Sequence, residues 1–356
     1  MKIAIDVSPI EGKGLIQHRV RGTGFYTKNL TEALLKYDTH NKYTFFTRGD
    51  KLPKNVDLVH YSYFDPFFLT LPIFSRHKTV VTVHDLTPLV FPKYFQRGLK
   101  GSFKWFIQKA SMRKANLIIA DSLSSKKDIV KFTGISEKKI EVIYLSQSED
   151  FKKIEVGKIK KNEIRKKYGL PEKFALYVGD VTWNKNLPRL VEAAKKSRIP
   201  LVMVGKALVS EDFDKKNPWN QDLLKIQKLV EGNKNILRVG FVETDDLIAL
   251  YNLATVFVMP SLYEGFGLPI LEAMACGCPV ITTREGSIPE VAGDAAFYTD
   301  AYDSDKIAKD MTKVFANSSL QNKLSDKGLT QSNKFSWKKT ASDTLKVYRQ
   351  VPSRKL

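Results

Sequence analysis

Two successive series of short apolar, β-branched runs, each run separated from the next by an amphipathic stretch, constrain this chain more than any other feature. The first series comprises Ile3 to Val7, Tyr43 to Thr47, Leu58 to Tyr61, Thr79 to His84, Leu117 to Ala120 and Glu141 to Leu145. A Lys-rich segment from Lys152 to Lys167 follows, and the pattern restarts near Pro171 with PEKFALYVGD, IPLVMVG, ILRVGFV, TVFVMP and CPVITT. Runs of this kind alternating with helical stretches read as parallel sheets covered by helices. At 356 residues the chain exceeds one typical core, so two α/β domains are expected, with a boundary near residues 165 and 166. The Lys-rich segment is poor core material and reads as a solvated connection between them. Open parallel sheets bind ligands outside the carboxyl ends of their strands, so the residues just after each strand, around a crevice shared by the two domains, are the first candidates for a site.

Composition narrows the chemistry. Lys and Arg number 58 against 38 Asp and Glu, a net charge of +20, which favours phosphates, anionic lipid surfaces or nucleic acid without choosing among them. No zinc-finger spacing, RNP signature or other nucleic-acid motif accompanies that charge, so no specific nucleic-acid partner is expected. The histidines are scattered, and Cys276 and Cys278 stand in ACGCPV at a spacing that suits neither a zinc pair nor a redox pair; they read as two small buried residues. No apolar run approaches the ~20 residues of a membrane span. MKIAIDVSPI reads directly as a first strand rather than as a signal peptide, which makes a cytoplasmic location the expectation.

The richest stretch is Pro260-Ser-Leu-Tyr-Glu-Gly-Phe-Gly-Leu-Pro-Ile-Leu-Glu272, which follows TVFVM and runs into the helix former LEAMACG. Gly265 and Gly267 let the backbone turn tightly and approach a ligand, and Pro269 suits the first turn of a helix. A helix start of this type favours anions, a diphosphate among them. Glu264 at the strand exit and Glu272 in the expected first helical turn are acceptor-only groups suited to sugar and ribose hydroxyls. Taken singly, each has an equally good plain reading, Glu264 as a loop cap and Glu272 as a complement to the helix dipole.

In combination, these residues resemble the E-x7-E motif of the retaining glycosyltransferases of family 4, which have the GT-B fold of two Rossmann-like parallel-sheet domains facing across a cleft. Gly22-Thr-Gly-Phe-Tyr-Thr and Thr82-Val-His-Asp-Leu-Thr-Pro-Leu-Val-Phe-Pro-Lys-Tyr-Phe95 look like the family's N-terminal loop and its histidine-bearing segment, the latter as found in bacterial O-antigen-type mannosyltransferases. Phe335-Ser-Trp-Lys-Lys-Thr-Ala and the following residues look like the family's last helix, which returns to the first domain. The resemblance therefore implies residues 1–165 plus about 336–356 as an acceptor-side domain and 166–335 as the donor domain. It implies Glu264, His84 and Lys185 at the reacting sugar and diphosphate. Gly22, Gly24, Gly265, Phe266, Gly267, Leu268 and Glu272 are implied around the donor. It further implies a nucleotide-sugar co-substrate, with mannose from GDP-mannose the best guess, a glycan or lipid-linked acceptor, and neither metal nor organic cofactor.

The match departs at Tyr177-Val-Gly-Asp-Val-Thr-Trp-Asn-Lys-Asn186, where Asp180 stands in place of an arginine often found after the glycine. An acid beside a diphosphate opposes binding unless it turns away. Lys206, directly after the run Leu201 to Val204, is the candidate to supply the missing charge, with Arg19 and Arg21 next. The helix expected around residues 97–114 mixes basic residues with Phe103, Trp105 and Phe106, as an interfacial helix does, although such apolar residues more often pack inward. A dinucleotide oxidoreductase fits less well, because Gly22-Thr-Gly-Phe-Tyr-Thr lacks a third glycine and lies well past the first strand. A GT-B epimerase or hydrolase acting on the same donor stays open.

Overall fold

The computed structural model describes residues 1–11, 20–52 and 55–351; Arg19 and residues 352–356, the end of the expected last helix, lie outside them, as does the side chain of Arg21. The described chain forms two compact units, Met1–Ser146 with Phe335–Leu356, and Gln147–Lys334. Each carries a six-stranded parallel sheet, the α/β architecture expected from the sequence.

In the first unit the strands are β1 (Lys2–Asp6), β2 (Lys42–Phe46), β3 (Leu58–Tyr61), β4 (Lys78–Val83), β5 (Leu117–Ala120) and β6 (Ile140–Val142), in the spatial order β2-β1-β3-β4-β5-β6. Every strand β3, β4 and β5 residue that pairs with two neighbours is apolar or a small hydroxyl or imidazole group, as a sheet covered on both faces requires. The order reverses between β1 and β3, so a ligand site is expected outside the carboxyl ends of those strands. Ser62 follows β3 there, and His84 follows the adjacent strand β4.

The last helix, Trp337–Gln350, belongs to the first unit and is tied into its core. Trp337 packs edge-on against Phe25, and Thr340 Oγ1 donates to the Tyr144 carbonyl at 2.8 Å. Tyr348 meets His60 Nδ1 at 2.6 Å, His60 Nε2 meets Thr82 Oγ1 at 2.8 Å, and Thr82 meets the Tyr26 hydroxyl at 2.9 Å. His60 is wholly buried, and burial, aided by the nearby His84, pushes its pKa down to about 3, so it works as a neutral two-ended connector.

The second unit contains β7 (Ala175–Val178), β8 (Leu201–Val204), β9 (Ile236–Val239), β10 (Val256–Met259), β11 (Val280–Thr282) and the two-residue β12 (Phe297–Tyr298), ordered β12-β11-β10-β7-β8-β9. Its reversal point falls between β7 and β10, and the residues after these two strands are Gly179-Asp-Val-Thr-Trp-Asn-Lys185 and Pro260-Ser-Leu-Tyr-Glu264. β12 escapes the sequence pattern because two half-buried residues carry no periodicity.

The division after Ser146 lies nineteen residues before the boundary read from the sequence, because the Lys-rich segment, though mostly exposed, is part of the second unit and not a connection between the two. Most of it is the helix Lys158–Tyr168 of the second unit. Its cations have a purpose there: Lys160 and Lys167 bind the Asp246 carboxylate at 3.3 and 2.6 Å, and the Tyr168 hydroxyl donates to the same group at 2.8 Å. Ile164 is the one side chain of that helix that is buried, which is why its periodicity was too weak to read.

Candidate functional site

The second unit builds its site from the reversal point outward. After β7 the chain makes one 3₁₀ turn, Trp183–Lys185, and Asn186 takes a left-handed conformation at φ 59° before the helix Leu187–Ser197. Asparagine tolerates that conformation better than most side chains. The turn aims Lys185 at the exit of β10, where its Nζ donates to both Glu264 oxygens at 2.8 Å. Both side chains are largely buried, so the pair sits where charge interactions are weakly screened. Two residues that sequence reading had assigned to one donor from separate motifs thus hold each other directly.

The backbone around Glu264 is clamped carbonyl by carbonyl. Asn186 Nδ2 donates to Pro260 O at 2.9 Å, Thr283 Oγ1 to Ser261 O at 2.6 Å, and Asn184 Nδ2 to Tyr263 O at 3.0 Å. Ser287 Oγ shares its single proton between the carbonyls of Glu264 at 3.0 Å and Phe266 at 2.9 Å. Gly267, at φ 97°, then turns the chain into the helix Leu268–Ala275 with Pro269 in its first turn. Gly265, Phe266, Gly267 and Leu268 therefore form a fixed arc ending in the positive end of a helix dipole, a geometry suited to an anion.

Gly286 fits behind this arc. A Cβ there would stand 2.8 Å from the Glu264 carbonyl oxygen and 2.9 Å from its nitrogen, and the residue has φ 59°. Gly286→Ala is expected to cost about 1–2 kcal/mol from backbone conformation alone and, by displacing Glu264, to lower activity more than stability. Thermal unfolding and initial rates measured on one preparation check this; equal small losses in both would mean that the arc yields without moving Glu264.

Glu272 stands one turn deeper than expected. The helix begins at Leu268, directly after left-handed Gly267, so Glu272 is its fifth residue and lies beyond the first turn. Its buried carboxylate accepts the Tyr251 hydroxyl at 2.8 Å. Asp180 is exposed, and its carbonyl is held by the Tyr177 hydroxyl at 2.8 Å. Lys206 is also exposed, beginning a 3₁₀ turn at the exit of β8, the strand next to β7. Cys276 and Cys278 are buried free thiols, and burial, with Glu272 nearby, pushes the Cys276 pKa up to about 12.

Of the residues read in the first unit, His84 lies at the end of β4. Its Nδ1 is 2.6 Å from Asp121 Oδ2 and its Nε2 is 3.1 Å from the Ser62 carbonyl oxygen. Tyr26 packs edge-on against the imidazole at 4.7 Å. Asp85, its neighbour in the chain, accepts the Thr87 N–H at 2.8 Å. Gly22 and Gly24 fall within the helix Val20–Tyr37 and not in a loop. Two glycines cost a helix stability; among the described residues, no atom lies within 4 Å of where a Cβ on Gly22 would be.

Residues 160–331 match the family model described as Glycosyl transferases group 1, and residues 20–145 match that described as Glycosyltransferase Family 4. The O-antigen chain mannosyltransferase B of Escherichia coli is 31% identical over 303 residues, covering 82% of this chain and 75% of that protein. The chain belongs to glycosyltransferase family 4. The serotype-specific mannosyltransferase WbdA of Escherichia coli is 32% identical over 277 residues, 74% of this chain, and the chain spans only 32% of WbdA's length. Among solved structures, sucrose-phosphate synthase from Thermosynechococcus elongatus superposes with a TM-score of 0.75 at 19% identity, covering 98% of both chains. HepE from Anabaena, in complex with UDP and glucose, superposes at 0.71 with 16% identity over 98% of this chain and 99% of that one. At such identities the likeness shows the shared fold.

Sequence reading of this family 4 chain missed the residues that hold the site in place: Asn184, Asn186, Thr283, Gly286, Ser287 and Asp121. Two signals were available. Asn184 and Asn186 flank Lys185 in the loop that follows a strand, and Gly286-Ser287 follows CPVITT at a strand exit, the position already singled out for scrutiny. Asp121 also directly follows a strand, β5, but nothing local distinguishes it from an ordinary loop acid.

Proposed function

We propose that this chain is a retaining hexosyltransferase that moves a sugar, mannose in the first instance, from a nucleoside-diphosphate donor to a glycan or lipid-linked acceptor in cell-surface polysaccharide synthesis. The observation that carries the reading is the Lys185–Glu264 pair inside a carbonyl-clamped glycine arc at the reversal point of the second sheet. A diphosphate entering there meets one ammonium and the N-terminal end of the helix Leu268–Ala275. These are preorganised positive groups placed where negative charge grows as the leaving group departs. Glu264, relieved of part of its hold on Lys185 by the incoming anion, is left to accept hydrogen bonds from sugar hydroxyls. The Glu272 carboxylate does the same for the ribose, exchanging its bond from Tyr251. Lys206 adds charge at the adjacent strand exit. No metal ion enters this scheme. The identity of the mannosyltransferase relatives supports mannose, and the donor phosphate rather than a glutamate takes the acceptor's proton.

The test is a thermal-shift series with GDP, UDP, ADP, GDP-mannose and UDP-glucose, followed by transfer assays with the stabilising donor. A ligand at ~100 times its dissociation constant adds ~2.7 kcal/mol of stability. Stabilisation by GDP and GDP-mannose that Glu272→Ala removes, and an α-linked product from the α-configured donor in the presence of chelator, are the expected results. Donor cleavage that proceeds equally without any acceptor would overturn transfer in favour of hydrolysis, and an inverted anomer would overturn retention.

A further inference from the structure

The helix Gly98–Arg113 of the first unit is reversed relative to an ordinary surface helix. Its inward face carries Gly101, Gln108 and Met112. Its outward stripe carries Leu99, Phe103 and Phe106, spaced by four and three, and 91%, 67% and 73% exposed. Large apolar side chains normally turn to the core, so a stripe of them facing water marks a surface with another purpose. The segment before β4 extends that surface with Phe68, Leu69, Ile73 and Phe74, the last 84% exposed.

Helix and segment are joined rigidly. The buried Gln108 Oε1 accepts Thr70 N, Thr70 Oγ1 and Leu71 N, each at 2.9 Å, and its Nε2 donates to the Leu71 carbonyl at 3.2 Å. One glutamine thus places both apolar pieces side by side.

Cations are interleaved with the rings. Lys104 Nζ lies 5.1 Å from the Phe68 ring centroid and Lys114 Nζ 5.0 Å from that of Phe74. Between residues 66 and 120 the sequence has nine Lys and Arg and a single acid, Asp85. A second copy of the chain would set the same positive charge against itself. A nucleic-acid strand would satisfy the cations but offers nothing to the aliphatic Leu99 and Ile73. An anionic bilayer satisfies both, since headgroup phosphates take the lysines and the acyl boundary takes the Leu and Phe side chains. We propose that this face of the first unit is a docking surface for an anionic lipid bilayer. The inference is independent of which donor the second unit binds.

Sedimentation of the full chain with vesicles tests it. With phosphatidylcholine vesicles containing about 30% phosphatidylglycerol, pelleting is expected at low salt and weakens at high salt, while phosphatidylcholine alone gives little. Phe103→Ser with Phe106→Ser is expected to weaken vesicle binding by about tenfold or more. Because both rings are exposed, thermal unfolding and transfer to a water-soluble acceptor stay unchanged in that variant. Absence of pelleting at low salt, or full binding by the double variant, would overturn the proposal. So would a solution dimer that the double variant dissolves, or single-stranded RNA binding that depends on these phenylalanines in a chain that ignores vesicles.

Discussion

Lys185→Met is expected to lower sugar transfer by about a hundred- to a thousandfold, the loss that follows when one preorganised donor to a developing anion is removed. Methionine keeps the length and apolar stem of lysine and removes only the charge and its donors. The substitution also leaves the largely buried Glu264 carboxylate without the ammonium that meets both of its oxygens at 2.8 Å. Breaking a buried pair from one side costs about 3–5 kcal/mol of stability, so a lower melting temperature is expected as well. The double variant Lys185→Met with Glu264→Gln separates the two effects. It removes both charges, so most of the lost stability should return, whereas transfer should stay at least as slow as in the single variant. Melting temperature, kcat and KM for the donor are the measurements. Recovery of rate together with stability would make the pair a structural staple and remove Lys185 from the chemistry.

That prediction could be framed from sequence only in part. The alternation of β-branched runs was enough to place eleven of the twelve strands within a few residues, because a parallel sheet buried on both faces writes itself as continuous apolar runs. Glu264 was legible from its place between a strand exit and a glycine loop, whereas Lys185 was read only through the family resemblance. That they meet was not legible, since it depends on strand order, and β7 and β10 are neighbours only through the reversal of the second sheet. The Lys-rich segment misled for a related reason: its lysines answer Asp246, about eighty residues away, and composition alone records no such partner. Glu272 was placed one turn too early because the start of the helix is fixed by the left-handed Gly267, a backbone property that a glycine permits without requiring.

Asp121→Asn is expected to move the alkaline limit of activity to lower pH and to reduce transfer at slightly alkaline pH by about a hundredfold, within the range of a positioned proton-bearing group. The argument starts from the hydrogen bonds of His84. A carbonyl can only accept, so Nε2, 3.1 Å from Ser62 O, carries a proton. Nδ1 faces the Asp121 carboxylate at 2.6 Å, and with a proton there too the ring is an imidazolium. Burial works against that charge, but the field and hydrogen bond of Asp121, with help from Asp85, more than offset it and hold the pKa above the ordinary histidine value. Burial raises Asp121 as well, so the pair as a unit keeps its proton to higher pH than the separate groups would. In this state the ring has no lone pair to offer and cannot act as a base; for it to donate to a sugar hydroxyl, Nε2–H would have to exchange its bond to the Ser62 carbonyl. Asparagine keeps the shape and can still bond Nδ1, but it removes the countercharge; burial then favours the neutral ring, Asp85 being the remaining acid beside it and Tyr26 the uncharged ring against it. The pKa therefore falls, and the protonated form is lost as pH rises through a lower value than in the parent chain. Below the lowered pKa of the variant both proteins carry the imidazolium, and there their rates should converge. Rate–pH profiles of the two chains, with His84→Gln as a reference that has no titratable ring, decide the matter. A uniform loss with no change of profile would mean that Asp121 supports the position of His84 and not its charge.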